Sequence, residues 1–472
     1  MKRTSVLKKL PLLLLLTLGA TVGTAASAAQ QPGYTITDLG PVSAPTLAGP
    51  VWWGVWTLAI NAAGDVVGAS PSDAGNVHAA LFHNGQVIDL GTLGGLNSEA
   101  SGINKSGLIV GDSQIASGYV HAFLYSNNVM TDLGTLGGAN SYATGINDTG
   151  QIVGNSQMSD GTTHAFLYAA GVMTDLGPGA ASSINTAGQI VINSSGSASL
   201  YTNGAIQPLP QVPCPYYEFQ SDAVYAINDS GEVVGDTVYW NGGQFTCDEA
   251  ISITQDGQAT AIGLGLPMGF NAALAINASG HILGRGWTYC DGSVCDQEYT
   301  FLDGAALFLA YPPIDSGWSW LNGSALNDAG QIAGVGNNPN SSGLRAFLMT
   351  PLPTVSITSP ASSALIAGII PVYASATDAT AVAGVQFKLD GANLGAEVIA
   401  APYVTLWNTT LSASGTHVLS AVARDTVGNI GTATPVYVTV LNDTTPPSIS
   451  ITAPASGSSV AGTVTVAAKR DR

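Results

Sequence analysis

Carboxylates set among aromatic residues, four cysteines and a regular series of histidines are the side chains in this sequence with the capacity for chemistry. Glu218 and Asp222 flank Phe219, and Asp248 and Glu249 follow Cys247. Two such carboxyl groups brought together by a fold can cleave a glycosidic bond, one as acid and one as base or nucleophile. Asp248, Glu249, Asp291, Asp296 and Glu298 also offer the oxygen ligands that calcium takes. Their spacing is irregular, so solvated charge is the favoured reading and calcium the alternative; no other cofactor is implied. His78, His121 and His164 recur every 43 residues, each in His-Ala-(Ala/Phe)-Leu. They would fall on the same third strand of successive structural units, away from the axis, and so cannot converge on one ion; structural hydrogen bonding is favoured over metal ligation. Gly-x-Ser-x-Gly, His-Glu-x-x-His and nucleotide-binding glycine loops do not occur.

The elements that must position these residues follow from the period. Asp-Leu-Gly at Asp89, Asp132 and Asp175 keeps the 43-residue step. Asn-x-x-Gly after an aliphatic residue runs further, starting at Asn61, Asn104, Asn147, Asn185, Asn228, Asn277 and Asn327. Seven units result. One unit, 142–177, divides into four strand-length segments separated by Gly, Asn, Asp and Ser turns, which is the pattern of a propeller blade. The first segment of each unit carries a small residue before the aliphatic: Ala59, Gly102, Gly145, Ser183, Ala226, Ala275 and Ala325. A strand with one small face suits the crowded centre of a ring of wedges.

The seventh unit lacks its Asp-Leu-Gly strand, whereas an orphan copy, Tyr34-Thr-Ile-Thr-Asp-Leu-Gly40, precedes the first. The expectation is an all-β chain: a seven-bladed β-propeller over 30–350, closed by this N-terminal strand, then an immunoglobulin-like β-sandwich. The runs His-Ala-Phe-Leu-Tyr, Thr-Asp-Leu-Gly-Thr-Leu-Gly-Gly and Gly-Ile-Asn-x-x-Gly-Gln-Ile-Val-Gly resemble the bacterial extracellular HAF-repeat family over residues 34–350. The likeness is strong in units one to three and fades to Arg345-Ala-Phe-Leu-Met. It implies secretion and a propeller and transfers no catalytic residue.

After a Pro-rich linker, 351–354, alternating apolar and polar residues over 355–441 read as a sandwich with Trp407 and Phe387 as core candidates. The phrases Gly384-Val-Gln-Phe-Lys-Leu-Asp-Gly and Ala423-Arg-Asp-Thr-Val-Gly-Asn resemble bacterial Ig-like modules. A second copy, 445–472, has too few strands to bury a core and is expected to be disordered or weakly paired.

Address and partners follow from the ends and the charge. Residues 1–29 combine Lys2, Arg3, Lys8 and Lys9, a leucine-rich stretch and Ala26-Ser27-Ala28, the order of a secretory signal too short to remain as a membrane anchor. Its removal takes the formal net charge from −18 to −22. Between Gln30 and Pro351 the only cations are Lys105, Arg285 and Arg345. Nucleic acid is thereby excluded as a partner, since nothing neutralises a row of phosphates. The expected setting is extracellular or cell-surface, with the periplasm as alternative and no transmembrane segment in the mature chain.

Exported cysteines pair by default. In four-stranded blades, the connection entering a blade and its second-to-third strand loop share one face. Cys214 and Cys247 fall in two such neighbouring segments, and Cys290 and Cys295 in one loop, so these are the pairs favoured among three connectivities. The longer bridge would contribute roughly 3–4 kcal/mol on chain-entropy grounds. The same face collects Trp52, Trp53, Tyr216, Tyr217, Trp240, Trp287 and Trp318. Such aromatics stack on sugars or dock a protein, or serve as the loops' own miniature core. A binding or scaffold protein for extracellular polysaccharide or protein is the leading expectation. An extracellular polysaccharide-cleaving enzyme using Glu218, Asp222, Asp248 or Glu249 is the alternative.

Overall fold

A computed structural model describes residues 33–471 except 45–46, 48–57, 212–218, 242–243, 263–268, 291–292, 303–304, 308–316, 379–380, 427 and 443–447. The described residues are all-β, with one short 3-10 turn at Thr409–Leu411. Seven four-stranded antiparallel sheets follow one another along the chain. Sheet two, for instance, consists of Gly94–Ile103, Ile109–Ile115, Val120–Ser126 and Val129–Asp132. Sheet seven is built differently. Its first three strands are Ser319–Leu326, Ile332–Asn337 and Leu344–Pro351, and its fourth is Tyr34–Pro41 from the other end of the chain, with Tyr34 opposite Pro351.

Each Asn-x-x-Gly closes the hairpin between first and second strands. In sheet two the Gly107 N–H donates to the Asn104 carbonyl, and Gly107 sits at φ +80°, where an L side chain is strained. The Asn side chain does more than tolerate the turn. Its Oδ1 accepts the N–H groups of Ser106 and Leu108, while its Nδ2 donates to the carbonyl of Asn147 in the next unit at 3.1 Å. The same bond runs from Asn61 to Asn104, Asn147 to Asn185, Asn185 to Asn228, Asn228 to Asn277 and Asn277 to Asn327 at 3.0–3.5 Å. Asn327 then donates to the Asn61 carbonyl at 3.0 Å, completing a cycle of seven.

The first strands meet around that cycle, each against the next, and the strand at Ala59–Ile60 against Ser319–Leu326. This explains their small residues: a Cβ on Gly102 would come 3.6 Å from the Gly145 Cα of the next sheet and 3.0 Å from Val110 Cγ2. Each first strand of sheets two to seven also carries a register shift at this point. The bulge pushes a carbonyl toward the second strand, so a Cβ on Gly111 would lie 2.0 Å from the Glu99 oxygen. Aliphatic clusters fill the spaces between successive sheets, such as Val110, Ala122 and Leu133 of sheet two with Ala143, Ile152 and Phe166 of sheet three.

Beyond Pro351, Thr354–Ser359, Ile369–Thr377 and Tyr403–Asn408 form a three-stranded sheet that faces a six-stranded one centred on Val382–Leu389 and Gly415–Asp425. Trp407, Phe387, Val385 and Leu419 are buried between them. Residues Ser448–Ala453 and Ala467–Asp471, expected to be disordered or weakly paired, form an antiparallel hairpin. Ile449 and Ile451 on it are exposed, so the ladder rather than a core holds it.

Candidate functional site

The residues singled out from the sequence fall into three groups. Trp52, Trp53, Cys214, Tyr216, Tyr217, Glu218 and Asp291 lie outside the described residues. For Trp240, Cys247, Asp248, Trp287, Cys290, Cys295, Asp296 and Glu298 the backbone alone is described, and it places all eight on strands, which corrects the assignment of the cysteines and of Trp240 and Trp287 to the loop face. Trp240 lies in Val233–Asn241 opposite Phe245, Cys247 in Gln244–Ile253 opposite Tyr239, and Trp287 in Ile282–Cys290 opposite Glu298. Aromatic and β-branched residues at Val238, Tyr239, Trp240, Phe245 and Thr246 carry the ladder past the expected loop start. The pairings of the four cysteines therefore lie outside what is described.

The remaining group has side chains in place. Trp318, expected on a ligand-facing surface, is 7% exposed and meets Phe347 edge-on, ring centroids 6.0 Å apart. It packs with Leu283, Ile332 and Met349 in the gap between sheets six and seven. It is a core residue, because the apolar gap accommodates the indole better than water does. Asp222, one of the four alternative catalytic acids, is buried and accepts the Thr237 hydroxyl at 2.5 Å, while Glu249 is half-buried on the third strand opposite Thr237. These two carboxylates belong to a scaffold already using one of them.

His78, His121 and His164 each place Nδ1 2.8–2.9 Å from a carboxylate oxygen of Asp89, Asp132 and Asp175, the aspartates of the Asp-Leu-Gly strand. Each aspartate also accepts the N–H two residues on, as Asp175 does from Gly177 at 2.7 Å. Burial pulls the Asp175 carboxyl up, but the Gly177 N–H and then His164 outweigh it and hold it below its usual range. Among the described residues, no three His, Cys, Asp or Glu side chains are placed to hold a metal ion.

A polar level that the sequence reading passed over lies on the second strands. Asp112, Asn155, Asn193, Asp236 and Arg285 occupy one register in sheets two to six, opposite Glu99, Tyr142, Ala180, Ala223 and Ala272 respectively. The available signal was the residue after Ile/Val-Val-Gly, which is polar in Gly111-Asp112, Gly154-Asn155 and Gly235-Asp236 although its neighbours are core residues. Burial pushes the Asp236 carboxyl up to about 7, against the pull of the Tyr225 hydroxyl, which donates to it at 3.0 Å. Desolvation, reinforced by the neighbouring Glu99, raises the Asp112 carboxyl well above its ordinary value. The Glu99 Oε1 itself accepts the Leu47 N–H at 3.0 Å.

Residues 353–421 match the family described as a bacterial Ig domain. No curated protein matches the sequence. Among solved structures, a fibronectin(III)-like module of Clostridium thermocellum CbhA is similar over 18% of this chain and 94% of its own, at 25% identity and a TM-score of 0.17. The endo-beta-1,4-mannanase from Thermotoga petrophila is similar over 19% of this chain and 20% of its own, at 18% identity and a TM-score of 0.17. The extracellular domain of the hybrid two component system BT3049 from B. thetaiotaomicron is similar over 86% of this chain and 57% of its own, at 12% identity and a TM-score of 0.33. Likenesses this slight assign no activity. The chain is an all-β protein of many small antiparallel sheets with an Ig-like domain toward its C-terminal end. Among the described residues no helix is long and apolar enough to cross a membrane.

Proposed function

We propose that the chain is an exported binding or scaffold protein, a seven-bladed β-propeller over residues 30–350 that presents one loop-rich face to extracellular polysaccharide or protein. Residues 1–29 are its secretory signal, and the Ig-like sandwich at 355–441 is a spacer. The observation carrying the reading is the cycle of seven asparagine amides, each bonded to the next unit's carbonyl and the last to the first. A closed cycle of hydrogen bonds through the first strands is what a propeller requires at its centre, and it leaves no open sheet edge between the first and last units. The recurring chemistry-bearing residues support binding over turnover, because the histidines, the aspartates beside them and Asp222 are all engaged in holding strands together.

On this reading the aromatics of the strand-entry segments, Trp52, Trp53, Tyr216 and Tyr217, make the contacts, stacking on the apolar faces of sugars or partner side chains. Affinity electrophoresis of the mature chain through a panel of neutral and acidic bacterial and plant polysaccharides tests it. Retardation by at least one polymer, lost when these four residues are changed to alanine and unaccompanied by release of reducing ends, is the expected result. Release of reducing ends abolished by substituting one carboxylate would replace the reading with the enzyme.

A further inference from the structure

In sheet one a line of hydrogen bonds runs outward from the amide cycle to an Asn-Gly turn. Asn61 donates from Nδ2 to Asp65 Oδ2 at 3.1 Å, and its Oδ1 accepts the Asp65 N–H at 2.9 Å. The other Asp65 oxygen, Oδ1, faces Nδ1 of His83. A carboxylate only accepts, so the hydrogen of the neutral imidazole sits on Nδ1 and Nε2 is left as the acceptor. Nε2 accepts from Nδ2 of the next residue, Asn84, at 2.8 Å.

Asn84 and Gly85 make the turn between Val77–His83 and Gln86–Asp89, with His83 opposite Gln86. Their φ values are 50° and 74°, both are exposed, and a Cβ on Gly85 would meet nothing within 4 Å. The nitrogen of a following glycine, with no side chain beside it, is the backbone atom best able to approach an asparagine Cγ. Sheet four repeats this turn at Asn203 and Gly204, between Ser197–Thr202 and Ala205–Pro208, at φ 51° and 88° and equally exposed. There Thr202 stands where His83 does, so the two turns differ in the side chain beside the asparagine amide.

We propose that Asn84 is a self-modifying site, deamidated with His83 as the catalytic residue and Asp65 positioning it. The Gly85 nitrogen loses its proton to solvent and bonds to Asn84 Cγ, closing a succinimide ring. The Cγ–Nδ2 bond breaks, and the nitrogen leaves as ammonia with a proton from Nε2 of protonated His83; the proton released by Gly85 restores the imidazolium through water. A water molecule then opens the ring at either carbonyl and leaves aspartate or isoaspartate at position 84. Imidazole suits the step because it gives and takes protons near neutrality, and Asp65, itself tied to Asn61, keeps Nε2 on the departing nitrogen. The product adds a negative charge close to Asp65, and its isoaspartate form adds a backbone carbon to the hairpin that leads to Asp89, the partner of His78.

Ageing the folded mature chain in neutral buffer made with heavy-oxygen water, followed by peptide mass spectrometry, tests the site, with Asn203 as the reference in the same molecule. Asn84 should convert, taking up one labelled oxygen, on the order of a hundredfold faster than Asn203, the lower end of what a positioned acid–base side chain contributes. His83→Gln and Asp65→Asn should each bring the two rates together. In urea, where Asp65 no longer holds the imidazole, the difference should collapse. Asp65→Asn keeps an acceptor for Asn61, and should it still disturb the turn, His83→Gln decides alone because that side chain is exposed. Equal rates at the two asparagines of the folded chain, a ratio unchanged by His83→Gln, or a ratio that survives urea would overturn the proposal.

Discussion

The Arg345 Nε–H donates to both carboxylate oxygens of Asp38, at 2.9 and 3.1 Å, across 307 residues of chain. The pair repeats, at the seam of sheet seven, what His78 and Asp89 do within sheet one: a residue two positions before the buried third-strand aromatic or alanine holds the aspartate of Asp-Leu-Gly. A guanidinium stands here in place of an imidazole, on the ladder that pairs the N-terminal strand with Leu344–Pro351.

A double-mutant cycle on Arg345→Ala and Asp38→Ala should therefore show coupling of about 0.5–1 kcal/mol in urea unfolding, the upper range for a pair about a quarter exposed, and weaken with salt. Deleting residues 30–40 should cost far more, since it strips the fourth strand from sheet seven. Unchanged melting of that deletion would mean that the strand contributes nothing to the stability of sheet seven.

Asn327→Ala removes both the amide that reaches Asn61 and the oxygen that accepts the Gln331 N–H. Asn327→Asp keeps an oxygen for the turn but has no donor for Asn61. Both should lower stability by roughly 1–3 kcal/mol. A neutral Asn327→Asp, read by chemical denaturation, would show the cycle of amides to be incidental.

Asp236 gives a pH dependence. Its folded pKa of about 7 lies above the unfolded value near 3.9, so the folded state holds a proton that the unfolded state releases between those pH values. Stability is thus greatest, as far as this group goes, below about pH 4, and is lost as pH rises through about 7, by an upper bound of about 4 kcal/mol. Asp236→Asn cannot ionise and keeps an acceptor for Tyr225. Its advantage over the parent should be absent at pH 4 and largest above pH 7 in thermal unfolding; an advantage that does not vary with pH would contradict the assignment.

Trp318→Ala should destabilise by about 3–5 kcal/mol, the usual cost of deleting a buried indole, and should leave polysaccharide retardation of the folded fraction unchanged. Loss of retardation at full stability would return Trp318 to the binding surface.

Much of this architecture was legible because it is local and repeated. Asn-x-x-Gly marks a turn whose two key bonds, Gly107 N–H to the Asn104 carbonyl and Leu108 N–H to Asn104 Oδ1, close within four residues, so every copy leaves the same trace. The missing Asp-Leu-Gly after Arg345 and the spare copy at Asp38 could be matched for the same reason. Trp240 and Cys247 were misplaced because strand length here depends on a partner strand accepting further pairs, which turn residues alone do not report. Trp318 was misplaced because its environment, Leu283 and Phe347, comes from other strands.

From its order of residues alone this chain specifies seven similar units and their turns, since each turn depends on atoms a few positions apart. Which side chains the units turn toward one another was decided only in three dimensions. The amide cycle, the desolvated carboxyls at Asp112 and Asp236, and the unpartnered amide of Asn155 all arise where neighbouring units meet, and hydrogen bonding and desolvation there depend on distances that the linear order does not contain.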